Sequence, residues 1–270
     1  MRKTKTLSIA LGLAIGASAQ AANLIVYDFE SEAAGALADS TSIANAGTSG
    51  ADGTVGGTGS GTATIVTGAG PGGFTTNFLS LVPSDDGNQG TATPHIGAGG
   101  TVASLNIGGD QAYTFAAWVR YNNQTEDNMV FGGANDAVLH LGQRGDQYWS
   151  GHWGDDINSG DNKTEVGVWH HVAWTNTAGD GLQTIYVDGV EVGSGGGGGS
   201  FGGYGGNGGQ TLLIGSSNNK GSFNGDLDDV RVYNEVLSGA QIAALATVIP
   251  EPTSGILLSL ASLALLRRRR

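Results

Sequence analysis

Apolar and aromatic residues come in short runs broken by glycine and polar residues, and long helical spacing is missing between residues 23 and 237. Leu24, Ile25, Val26, Tyr27 and Phe29 form a first strand signal. Residues 113–120 are rich in β-formers, with apolar side chains on both faces. Residues 137–141 and 169–175 give two further runs, and 210–214 and 228–233 two more. Residues 184–187 and 190–192 flank Asp188-Gly189, a dipeptide that favours a two-residue type I′ turn, so a hairpin is predicted there. Ser238 and Gln241 have capping-box spacing ahead of Ile242, Ala243, Ala244 and Leu245, which predicts one short helix after the last strand. Residues 44–73 hold hardly any large apolar side chain and read as turns and loops between short strands. Residues 193–209 read as a glycine-dominated loop. The pattern as a whole is all-β, a sandwich or jelly-roll.

Both ends depart from this pattern. Residues 1–21 carry Arg2, Lys3 and Lys5, then a short apolar stretch, then small residues that fit cleavage after Ala21, as in a secretory signal peptide. The last segment has Pro250-Glu251-Pro252, twelve residues from Gly255 to Leu266 that are largely apolar, and four arginines. As a helix those twelve residues would span about 18 Å, short of a hydrocarbon core about 30 Å thick. The arginines favour the cytoplasmic side, with the bulk of the chain outside. A plain membrane anchor and a sorting signal that is cut both place residues 23–247 outside the cytoplasm.

Composition narrows the function. The 270 residues include 49 glycines and no cysteine, so disulfides, thiolate metal sites and cysteine chemistry are excluded. The formal net charge is −12, and most basic residues lie in the two terminal segments. What remains is Arg120, Arg144, Lys163, Lys220 and Arg231, an acidic balance that repels nucleic-acid backbones. His170 and His171 are adjacent and face opposite sides of their strand, and no histidine has zinc-site spacing; structural histidines are expected. Tyr148, Trp149 and Trp153, with Asp155 and Asp156, offer planar rings beside hydroxyl acceptors, a candidate glycan platform. The alternative is that at least one of these tryptophans packs into the sandwich. Trp118, Trp169 and Trp174 are read as core residues.

The order of these strands, ending in Gly225-Asp226-Leu227-Asp228-Asp229-Val230-Arg231-Val232-Tyr233-Asn234 and the segment 237–245, resembles the LamG-like jelly-roll of the concanavalin A-like lectin/glucanase superfamily. The resemblance spans nearly all of residues 22–247 and is weakest over 35–110. It implies two antiparallel sheets packed face to face. It also implies that the first and last strands run close together, where a structural Ca²⁺ can sit, with Asp228 as the first ligand and Asp226 and Asp28 next. The alternative is that these acids only accept from turn amides. Glucanases of the superfamily carry E-x-D-x-x-E on one strand, and this chain has no such pattern, so a non-enzymatic module is expected, with glycoside hydrolysis as the rival. The C-terminal segment, residues 248–270, resembles the PEP-CTERM sorting signal of Gram-negative bacteria. That resemblance implies an exosortase-type protease as partner, transient membrane association, and display on the cell surface or in an exopolysaccharide matrix. Glycan or matrix binding and a purely structural matrix role both follow from that location.

Overall fold

The computed structural model describes residues 22–84, 93–107, 111–124, 127–133, 139–151, 155–161, 163–179, 181–196, 210–217 and 220–247. The signal peptide and the sorting segment, with Pro250, Glu251 and Pro252, lie outside the described residues. In chain order the strands are β1 (Asn23–Tyr27), β2 (Gly35–Leu37), β3 (Ser42–Ile43), β4 (Gly53–Gly56), β5 (Gly61–Ala69), β6 (Thr75–Pro83), β7 (His95–Thr101), β8 (Tyr113–Tyr121), β9 (Asp127–Gly133) and β10 (His140–Arg144). They continue with β11 (Gln147–Gly151), β12 (Ile157–Asn158), β13 (His170–Asn176), β14 (Leu182–Val187), β15 (Val190–Gly196), β16 (Thr211–Ile214), β17 (Ser216–Ser217), β18 (Gly221–Ser222) and β19 (Gly225–Tyr233), followed by α1 (Gly239–Leu245).

Nine strands make one sheet, in the order β15-β14-β13-β8-β19-β6-β5-β2, with β1 added against β19. Eight make the other, in the order β12-β11-β10-β9-β16-β7-β4-β3. The first and last strands pair antiparallel, from Asn23 opposite Tyr233 to Tyr27 opposite Val230. This is the expected two-sheet sandwich.

Alternation explains the packing. In β8 the core takes Tyr113, Phe115, Ala117, Val119 and Tyr121, leaving Thr114, Ala116, Trp118 and Arg120 for the outer face. Phe115 meets Phe131 of the opposite sheet with ring centroids 4.9 Å apart, and Phe131 meets Trp174 at 6.0 Å. The Trp174 indole N–H donates across the sandwich to the Trp149 carbonyl at 3.0 Å, so the one polar atom of that buried ring is satisfied.

In β19 the inward set is Leu227, Val230 and Val232, which breaks strict alternation. A register shift between Asp228 and Arg231 absorbs the extra residue, and Asp229 takes a left-handed φ of 46° there. Asp188 and Gly189 have φ of 49° and 80°, as a type I′ turn requires, and they join Val187 to Val190 as predicted. The capping box of Ser238 and Gln241 starts α1 as predicted.

Helix α1 lies on the outer face of the nine-stranded sheet. Ile242 and Leu237 pack on Ala116, Ala173 and Tyr233, the small alanines allowing the close approach. The helix covers only that part of the face.

Two readings of the chain need correction. Residues 61–69 form a nine-residue strand paired along its full length with β6, not a loop. The inward residues there are only Ala63 and Ile65, too few to stand out in sequence. Gly193–Gly196 also continues β15 against β14 rather than opening the loop, since backbone pairing needs no side chains.

Candidate functional site

Beyond α1, the outer face of the nine-stranded sheet carries an aromatic and charged strip. Arg120 projects from β8 between the rings of Phe78 in β6 and Trp169 just before β13, with its guanidinium 5.2 Å and 4.7 Å from the two ring centroids. The rings themselves meet edge-on at 5.4 Å. Arg120 Nε donates to Asp226 Oδ2 at 2.8 Å, and the Trp169 indole N–H donates to the Ala69 carbonyl at 3.2 Å. Trp118 stands one residue pair away, opposite Asp228 in the ladder, with its ring edge-on to His171 at 5.5 Å.

Trp118 and Trp169 are therefore not core residues, as Trp174 is; each is partly exposed on the sheet's outer face. The physical reason is strand alternation: with Ala117 and Val119 inward, Trp118 and Arg120 must point out. The same alternation could have found the strip in the sequence. Phe78 could not have been found that way, because its place beside Arg120 depends on the pairing of β6 with β19.

Next to the strip lie the expected metal ligands. Asp226 and Asp228 share the outer face of β19. They do not form one donor set with Asp28. Asp226 is paired with Arg120 at 2.8 Å. Asp28 Oδ1 accepts the Glu30 N–H at 3.3 Å. Among the described residues no three His, Asp or Glu side chains come together as a metal cluster.

Asp228 stands apart from the other two. It is 6% exposed; its Oδ1 accepts the Asp229 N–H at 2.8 Å and its Oδ2 accepts the Thr76 hydroxyl at 3.2 Å. Burial pushes its carboxyl up to about 8, and the charges of Asp229 and Glu30 push the same way. A desolvated carboxylate is relieved by a proton or by a cation.

The histidines of β13 split as expected. His170 Nδ1 bonds Asp188 Oδ2 at 2.8 Å, and this bond raises the pKa of the imidazole. His171 is 1% exposed, and burial pushes it down to about 4.

The expected platform on the β10–β11 hairpin is only partly present. Tyr148 is fully buried in the core, because β11 alternates and Tyr148 takes the inward position. Trp149 points out, with the Arg144 guanidinium 4.7 Å from its ring centroid and Arg144 in turn held by Asp127 at 3.0 Å. Asp156 Oδ2 lies 3.7 Å from His140 Nε2, and the Asp155 carbonyl accepts from the Gln183 amide. Trp153 lies outside the described residues. Gly151 opposite His140 is obligatory, since a Cβ there would come within 1.8 Å of the imidazole Nε2.

Two antiparallel sheets with paired terminal strands and a short helix docked behind the last one define the lectin-like jelly-roll class. The laminin G-type profile described as the concanavalin A-like lectin/glucanases superfamily matches residues 86–243, and the chain belongs to that superfamily.

Solved structures agree on the fold. Domain 4 of AbnA, a GH43 extracellular arabinanase from Geobacillus stearothermophilus, seen in complex with arabinotriose, is similar with a TM-score of 0.60 and 21% identity, over 84% of this chain and 99% of that one. The binding domain of botulinum neurotoxin DC, in complex with rat synaptotagmin II, gives 0.55 and 14%, over 83% of this chain and 51% of that one. At these identities the likeness is one of fold alone. A search of curated proteins returns no match.

Proposed function

We propose that this protein is an exported, non-enzymatic binding module that takes a glycan or matrix chain on the outer face of its nine-stranded sheet. The observation that carries this is the pair of partly exposed indoles Trp118 and Trp169 on one sheet face, with Arg120 stacked between Trp169 and the buried Phe78 ring and with Asp226 and Arg231 alongside. Indole rings offer faces for sugar C–H groups, and carboxylates and guanidinium exchange hydrogen bonds with hydroxyls. Two similar folds, one seen with a trisaccharide and one with a protein, are both domains of binding character, which supports the reading. Trp149 with Arg144 is a second, smaller contact point on the other sheet.

A structural Ca²⁺ at Asp228 belongs to the same reading. The burial of the Asp228 carboxyl, 6% exposed and beside the first strand's continuation, supports it. The ion would neutralise the buried carboxylate and tie β19 to the segment after β1, with carbonyl oxygens completing the shell. Export, cutting behind Pro250-Glu251-Pro252 and matrix display rest on the terminal sequence patterns. Mass spectrometry of the protein isolated from the cell surface tests them.

The binding reading is tested on a glycan array. The wild-type domain should bind at least one extracellular polysaccharide saturably, and Trp169→Ala should weaken that binding at least tenfold. Release of reducing ends would instead make the protein a hydrolase. Absence of binding to every glycan, with altered biofilm on gene deletion, would make it a structural matrix protein.

A further inference from the structure

One end of the sandwich interior gathers polar atoms that the site above does not use. Tyr121, the last residue of β8, and Tyr148, in β11, are 1% and 0% exposed, with ring centroids 6.3 Å apart. Among the described residues neither phenol oxygen has a hydrogen-bond partner. Gln143 lies opposite Tyr148 in the β10–β11 ladder and is also fully buried. Its amide nitrogen donates to the carbonyls of Asn123 and Gly145, while its Oε1 has no partner among the described residues. His170 is anchored to Asp188 through Nδ1, and its buried Nε2 has none either.

These four groups share neighbours. His170 faces Val119, two residues before Tyr121 on the core face of β8, and the charges of Asp188 and Glu165 act on both the Tyr148 phenol and the His170 imidazole. Asn123, which receives the Gln143 amide, is two residues beyond Tyr121. Residues 163–169 run past the same end: the Gly167 N–H donates to the Tyr121 carbonyl at 2.9 Å, and Val166 bridges to Tyr121.

A buried polar atom left alone is costly, and phenylalanine at 121 or 148 would fill the same space without that cost. We propose that this end of the sandwich is a hydrated chamber, in which ordered water bridges Tyr121, Gln143, Tyr148 and His170. Water matches the donor and acceptor count. Gln143 Oε1 accepts, each phenol both gives and takes, and His170, with its Nδ1 proton facing Asp188, accepts at Nε2 when neutral and donates there when protonated, either of which water can meet. The neighbouring charges, Asp188 and Glu165, are both negative, so an anion is disfavoured. Each bridging water makes about three such bonds in protein interiors. The chamber would fix the loop 163–169, and with it Trp169, to the end of the sheets.

The test uses the mature protein and its Tyr121→Phe and Tyr148→Phe variants, which keep shape and change only the hydroxyl. A high-resolution crystal structure of the wild type should show ordered water within hydrogen-bond reach of at least two of the four atoms, and each variant should melt a few degrees lower. A dry chamber, or variants that melt at or above the wild-type temperature, would overturn the proposal.

Discussion

Arg120 and Asp226 face each other across the β8–β19 ladder, and their side chains close the pair at 2.8 Å with only 25% and 10% of their surface exposed. The same guanidinium is stacked on Trp169, so one residue fixes both the charge and the aromatic part of the strip. Removing it should do two things at once. Arg120→Ala should lower stability by about 1–2 kcal/mol, through the lost stacking and charge-assisted bond, and should free the Trp169 ring. Arg120→Lys should recover little, because a lysine has no planar face to stack. Urea denaturation followed by tryptophan fluorescence measures both effects.

The acid side of the stability curve is assigned to His171. Burial holds it down from 6.5 to about 4, so the unfolded chain takes up a proton that the native state refuses. The His171 contribution, complete above pH 6.5, should be lost as the pH falls toward 4, by up to about 3 kcal/mol, while Asp228, raised to about 8, acts with the opposite sign, its contribution present at low pH and lost as the pH rises through 8. His170 has the opposite sign: its hydrogen bond to Asp188 raises its pKa above 6.5, so its contribution is present below 6.5 and lost as the pH rises above it. His171→Gln should flatten the acid limb, and Asp188→Asn the neutral one, in denaturation series across pH.

The calcium reading turns on Asp228. Ca²⁺ should raise the melting temperature and EDTA lower it, since an ion bound only to the native state stabilises it. Asp228→Asn should remove the response. A wild-type protein indifferent to calcium would mean that the buried carboxyl is relieved by a proton alone.

Helix α1 is held by its cap and by one buried side chain. Ser238→Ala should cost about 1 kcal/mol through the lost N-cap bond. Ile242→Ala, at a fully buried position on Ala116 and Ala173, should cost about 2–4 kcal/mol. Thermal melts of the two variants check the ranking.

Most of the sandwich was legible because its strong strands carry aromatic and branched residues at alternate positions, as in 113–121 and 170–176. The Asp188-Gly189 turn and the Ser238 cap were legible because each rests on local chemistry. β5 was not, since its long ladder with β6 is made by backbone groups between small residues such as Gly61, Gly68 and Ala69. The site was harder to read. Tyr148 and Trp149 are adjacent in sequence and face opposite ways, so a platform of both was never geometrically available. The ion pair of Asp226 with Arg120 depends on the register of β8 against β19, which no local pattern shows. Hydrophobicity alone points Trp118 and Trp169 inward, whereas the alternation of β8 turns Trp118 out.

The most direct test follows the indole N–H signals in an NMR spectrum while the domain is titrated with a polysaccharide that it binds. Shifts at Trp118 and Trp169, with Trp174 unmoved, are the result expected of a ligand lying on the nine-stranded sheet. Shifts confined to Trp149, or none at any tryptophan under saturating polysaccharide, would contradict it.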